Sequence, residues 1–197
     1  MECNPLLNTK EKIILETIHV IHESGIHGLS TRNVAKRVGI SEPAIFKHFK
    51  TKSDLILAVL DYFSLYDTDV IQSIRTKNLT PVEAIRTFID TYASYYNNYP
   101  AITALTQNFD LLQNNDSYKE KVRQILDTRT GFVTEMVEEA KQIGVMKQEV
   151  DSECMSAVII GSLREWCLYW RAAKFSFSLR DRMLATLDMI LVAFITT

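Results

Sequence analysis

The sequence predicts an all-α fold, with an N-terminal three-helix unit containing a helix-turn-helix followed by a helical bundle. Three observations predict it. Apolar residues recur at helical spacing without strict alternation, and proline and glycine are scarce and sit between the periodic stretches. Helix starts also carry capping-box spacing, a small polar residue followed three positions later by a carboxylate. Asn8/Glu11, Thr51/Asp54, Thr80/Glu83, Ser117/Glu120 and Ser178/Asp181 all fit, and Pro81 stands at the favoured first helical position.

In chain order, a first helix is expected over residues 9–24, ended by Gly25. Short helices follow near 31–38 and 42–49, joined at Gly39, and a long one begins at 52 and runs to about residue 74. Further helices are expected near 81–97, 101–112, 117–143, 152–174 and 179–195, with short polar loops at 77–80 and 113–116. The chain then divides into a helix-turn-helix domain over 1–55 and a larger helical domain over 56–197. At 197 residues it can bury roughly 70% of its unfolded surface. No metal or disulfide staple is required.

Composition narrows the function classes. The three cysteines, Cys3, Cys154 and Cys167, are odd in number and lack ligand spacing, which favours a reducing compartment and no metal site. The opening MECNPLLNTKEK lacks the plan of a signal peptide, and no apolar run approaches the roughly 20 residues of a membrane span. A cytoplasmic protein is expected. Cys154 and Cys167 on one helix stand about 20 Å apart, so only a bridge between subunits stays open to them. GxSxG, P-loop, GxGxxG and HExxH motifs are absent, and His22-Glu23 has Ile26 where a second ligand would stand. Neither an enzyme nor a cofactor is expected.

The net charge of −2 hides an uneven distribution. Between Ser30 and Lys52, Arg32, Lys36, Arg37, Lys47, Lys50 and Lys52 face one acid, Glu42, a local +5 that leaves the remainder at −7. This stretch, LSTRNVAKRVGISEPAIFKHFKTKSDL from Leu29 to Leu55, reads as two helices too short to be stable alone, joined by a tight turn at Gly39. They must pack on each other, with Ala35 at the crossing and Val34, Val38, Ile40 and Ile45 inward. That is helix-turn-helix spacing, in which the first helix braces a second whose outer residues can enter a major groove. The clustered bases supply the phosphate neutralisation that DNA binding needs.

These residues resemble the tetracycline-repressor (TetR/AcrR) family of transcriptional regulators. The resemblance rests on Thr31, Ala35, Gly39-Ile40-Ser41, Phe46, His48-Phe49 and Lys52-Ser53-Asp54-Leu55, and covers roughly the first 60 residues. It implies phosphate contacts from Thr31, Phe46, His48 and Lys52, groove contacts from Arg32, Glu42, Pro43, Ala44 and Lys47, and Ser41 as a further DNA-binding residue. Phe46 stands where the family commonly has Tyr, so it has no hydroxyl to donate to phosphate. Glu42 is either an acceptor for cytosine N4 or a favourable charge at a helix N-terminus.

The last two helices are apolar on more than one face, which suits burial against a second copy, although a helix fully buried within one chain would look the same. Val158, Ile159, Ser162, Met183, Leu187, Ile190 and Phe194 are the expected interface, and the resemblance implies a four-helix bundle between the subunits of a homodimer. Aromatic residues concentrate ahead of it. Phe63, Tyr66, Tyr92, Tyr96, Phe109, Phe132, Trp166 and Trp170, with Arg129 as polar anchor, either line a pocket for a small apolar or aromatic effector or form solid core. The resulting expectation is a ligand-responsive repressor that binds palindromic operator DNA as a dimer. The alternative is an effector-free architectural or interaction DNA-binding protein.

Overall fold

The computed structural model describes residues 8–196, so Cys3 lies outside the described residues. Helix α1 covers Thr9–Ser24 and opens with the expected reciprocal cap, Glu11 N–H donating to Asn8 and Asn8 N–H to Glu11. Helices α2 (Thr31–Val38) and α3 (Glu42–His48) follow, and α4 (Lys52–Arg75) starts on the Thr51/Asp54 box. Helix α5 (Pro81–Asn98) starts on the Thr80/Glu83 box. The remaining long helices are α8 (Lys119–Gln142), α9 (Ser152–Ala172, capped by Asp151) and α10 (Leu179–Phe194, capped by Ser178). Among the described residues the β structure is a single bridge, Met146 to Ile195.

The helix expected over 101–112 does not form as one piece. A 3-10 turn at Pro100–Ile102 leads into two four-residue helices, α6 (Thr103–Thr106) and α7 (Phe109–Leu112). The cause is local: Thr106 Oγ1 donates to the Thr103 carbonyl and Asn108 Nδ2 to the Ala104 carbonyl at 2.6 Å. Polar side chains take acceptors that a continuous helix would use, and Asn108 leaves helical geometry at φ −102, ψ 4. A second expected start also shifts. Helix α8 begins at Lys119, one residue too late for Ser117 to be its cap, and the Ser117 N–H donates to Asn115 instead.

Packing divides the chain into two units. The first comprises residues up to Ser64 together with Ala101–Arg123, and the second comprises Leu65–Pro100 with Gln124 onward. The boundary expected after residue 55 falls inside α4, which runs unbroken from one unit into the other. In the first unit α1 packs on α2 and on α6, and α2 packs on α3. Its core holds Ile13, Ile18, Ile21, Val34, Ala35, Ile45 and Leu55. In the second unit α10 packs on α5 and on α9, around Ile85, Phe88, Tyr92, Ile159, Leu163, Met183 and Leu187.

Candidate nucleic-acid interface

Ala35 is the small residue that lets α2 and α3 cross, and it is 3% exposed. Gly39 turns the chain between them at φ 79, where a Cβ would meet no neighbouring atom within 4 Å. Glycine is therefore required there by backbone conformation and not by crowding. Val34 and Ile45 are buried as expected, whereas Val38 and Ile40 are only half-buried. With Ile45 anchoring α3, the opposite side of that helix presents Pro43, Phe46, Lys47 and His48 to solvent, Ala44 being half-buried. Ser41, Arg32 and Lys52 are exposed around them, and Thr31 is half-buried. All ten expected DNA-contact residues thus lie in one unit, on or beside α2, α3 and the start of α4.

The six bases of this stretch are not equivalent. Arg37 Nε donates to Glu16 at 2.6 Å and its Nη1 to Glu23 at 2.8 Å, which ties α2 to α1. The hydrogen bond to Glu16 and the charge of both acids raise its pKa above the ordinary value against the effect of burial. Arg37 braces the motif, and the positive surface belongs to the other five. A cleft of about 350 Å³ beside this brace is lined by Val20, Glu23, Ser24, Asn33, Lys36 and Arg37.

Glu42 faces α2. Its Oε1 accepts the Thr31 hydroxyl at 2.5 Å, and its Oε2 lies 3.9 Å from Arg32 Nε. Neither contact was legible in the spacing, because the three residues meet only once α2 and α3 have crossed.

The aromatic residues expected to line a pocket make their ring contacts within each unit. Phe63 and Phe109 meet edge-on in the first unit, with centroids 6.1 Å apart. Tyr66, Tyr92, Tyr96, Phe132 and Arg129 come together in the second unit, joined by Phe88 at 5.0 Å from Phe132 and by Tyr95 stacked on Tyr66 at 4.3 Å. Trp166 donates from Nε1 to Thr186 on α10, and its ring faces Phe177. Trp170 donates to the Phe177 carbonyl and packs edge-on against Phe175.

Arg129 is not a spare anchor, since it is forked onto Asp67 and donates to the Tyr96 hydroxyl at 3.2 Å. Asp67 is the residue that the sequence reading missed. Its signal was available: it stands on the stripe Ile56, Val59, Leu60, Phe63, Val70, Ile74, where every other member is apolar and buried. An acid at a core position implies a buried partner. Arg129 interrupts the α8 stripe Val122, Ile125, Phe132, Met136 in the same way.

The expected dimer positions divide as well. Ile159, Met183 and Leu187 are at most 2% exposed and fill the core of their own chain, so they are corrected from interface to core. Val158 and Phe194 are exposed, and Ser162 and Ile190 half-buried. The outward large apolar residues on these helices are Val158, Leu168 and Tyr169 on α9 and Met189, Val192 and Phe194 on α10. Two apolar stripes run along each helix, and periodicity alone does not say which one the chain itself covers.

A basic helix-turn-helix and a separate helical unit with its own core are the parts of a DNA-binding transcription regulator. Residues 13–59 match the family of bacterial regulatory proteins, tetR family, and residues 47–193 match the C-terminal region of YsiA-like proteins. The chain belongs to the tetR family of bacterial regulators.

It is similar to the fatty acid metabolism regulator protein of Bacillus subtilis, 24% identical over 160 residues, 81% of each chain. It is also similar to the nucleoid occlusion factor SlmA of Vibrio cholerae, 20% identical over 83% of this chain and 84% of that one. Among solved structures, the transcriptional regulator FadR from Bacillus subtilis in complex with stearoyl-CoA superposes with a TM-score of 0.80 at 21% identity, covering 92% of this chain and 97% of that one. The ketosteroid regulator KstR2 of Mycobacterium tuberculosis gives 0.82 at 12% identity, covering 98% and 97%. At these identities the superpositions establish the fold. No helix among the described residues is long and apolar enough to cross a membrane.

Proposed function

We propose that the protein is a cytoplasmic, homodimeric repressor that binds palindromic operator DNA through α2 and α3 and leaves it when a small apolar or aromatic effector enters the second unit. The observation that carries the reading is the two-sidedness of α3: Ile45 is fully buried while Phe46, Lys47 and His48 stand exposed, with the exposed bases Arg32, Lys36, Lys50 and Lys52 around them. The phosphate contacts fall to Thr31, His48 and Lys52, with Phe46 packing on the sugar. Groove contacts fall to Arg32, Pro43, Ala44 and Lys47. The outward faces of α9 and α10 form the dimer seam, with Val158, Leu168, Met189 and Val192 at its centre. A two-fold pair of this kind sets its recognition helices about 34–36 Å apart, so a small tilt of α4 in each subunit forfeits one half-site.

The effector reading draws on the aromatic side chains of α4, α5 and α8, with Tyr92 and Tyr96 as its innermost rings. The stearoyl-CoA complex of the superposable FadR makes long-chain acyl thioesters the first compounds to try. The test is selection of bound fragments from genomic DNA, followed by fluorescence anisotropy of the selected duplex across a salt series and an acyl-CoA series. A near-palindromic site, a steep loss of affinity with salt, and release by one member of the series are expected. A flat salt response counts against the interface itself.

A second reading is favoured by one observation. The polar tips inside the second unit already satisfy one another, Tyr92 on Asp67 and Arg129 on Tyr96, as a solid core requires. An effector-free DNA-binding protein would then keep its operator in the presence of every acyl-CoA and of whole metabolite extracts.

A further inference from the structure

Glu42 is the only acid between Ser30 and Lys52, and it opens α3. Its carboxylate is held at the start of α2 as well, since Thr31 is the first residue of that helix and Arg32 the second. Thr31 has a single hydroxyl proton, which is given to Glu42 at 2.5 Å. Arg32, with 85% of its side chain exposed, has its Nε 3.9 Å from the same carboxylate. A phosphate approaching this corner therefore meets a negative charge and two groups with a prior partner.

We propose that Glu42 is a specificity-determining residue that works against non-specific DNA, by competing with backbone phosphate for Thr31 and Arg32. The proposal rests on the reading of α2 and α3 as the DNA interface. Non-specific affinity comes from phosphate neutralisation, so a fixed carboxylate at the edge of the contact surface weakens every sequence alike. Base-edge contacts from α3 arise only at the operator and offset that loss there. Discrimination by a repulsive element is a general device. Reading of cytosine N4 by Glu42 would require it to leave Thr31 first.

The test uses the full-length protein, Glu42→Gln and Glu42→Asp, titrated against the selected operator duplex and a scrambled duplex of the same length across a salt series. Glutamine keeps an acceptor oxygen for Thr31 and removes only the charge, and melting curves check that both variants fold as wild type does. Glu42→Gln should bind the scrambled duplex about three- to tenfold more tightly at low salt, with the gain shrinking as salt rises. The operator-to-scrambled ratio should fall, and Glu42→Asp, which keeps the charge, should stay near wild type. Unchanged or weaker binding of the scrambled duplex by Glu42→Gln overturns the proposal, as does a lost preference at one base pair alone. Failure of the wild type to bind either duplex would instead overturn the assignment of the interface.

Discussion

Asp67 on α4 receives both arms of the Arg129 guanidinium from α8, Nε at 2.8 Å on Oδ2 and Nη2 at 2.7 Å on Oδ1. The two side chains are 0% and 6% exposed, and the Tyr92 hydroxyl from α5 donates to the same Oδ1 at 2.5 Å. Burial opposes the charge on Arg129, but Tyr96, Asp67 and Tyr92 outweigh it and raise its pKa well above the ordinary value. Burial also pushes the Tyr92 and Tyr96 phenols far up, so both remain neutral, Tyr92 donating to Asp67 and Tyr96 accepting from Arg129.

This geometry makes the pair costly to break and cheap to replace. Asp67→Asn or Arg129→Met leaves one buried charge without its counter-ion and should cost about 3–5 kcal/mol in urea unfolding. The double change Asp67→Leu with Arg129→Met should cost far less than the sum, because no charge stays buried. Single variants within about 1 kcal/mol of wild type would mean that water reaches the pair.

Lys47 projects from α3, whereas Lys52 opens α4, and both are exposed. Lys47→Ala should relax preference at one operator position and cost ~1–3 kcal/mol there, while Lys52→Ala should weaken all duplexes alike and flatten the salt slope by about one. Sequence profiles from a randomised library check this. Identical profiles for the two variants would sink the division of roles.

The seam prediction follows from which stripe is outward. Met189 and Val192 are 69% and 78% exposed, against 2% for Leu187 on the same helix. Met189→Glu and Val192→Glu should yield folded monomers in sedimentation velocity. Leu187→Glu buries a carboxylate in the core of its own chain and should lose several kcal/mol of stability, seen as a lowered melting temperature by circular dichroism. Dimers that survive both outward charges would place the partner surface elsewhere.

Cysteine chemistry separates the two described thiols. Burial pushes the Cys167 thiol up to about 12, so at pH 8 it is protonated as well as inaccessible. Cys154 is exposed, with its pKa raised by a hydrogen bond with Asp151 and by that residue's charge. Maleimide labelling read by peptide mass should modify Cys154 in the native protein, faster after Asp151→Asn, and Cys167 only on unfolding. Native labelling of Cys167 would show that its surroundings open.

The sequence by itself determined the elements whose causes are local. A cap is a contact across three residues, so Asn8/Glu11 and Thr80/Glu83 are legible as letters and appear as reciprocal bonds. Gly39 is similar, since its left-handed backbone belongs to the turn alone. The basic helix-turn-helix followed from these features and from charge counted along the chain. What tertiary structure decided involves partners far apart: Arg37 with Glu16, Glu42 with Thr31, and Asp67 with Arg129, separated by 62 positions. The inward side of α9 and α10 is of the same kind. Periodicity shows that a helix has apolar stripes, but which stripe is covered depends on the direction from which neighbouring helices arrive, and only the packed chain sets that direction.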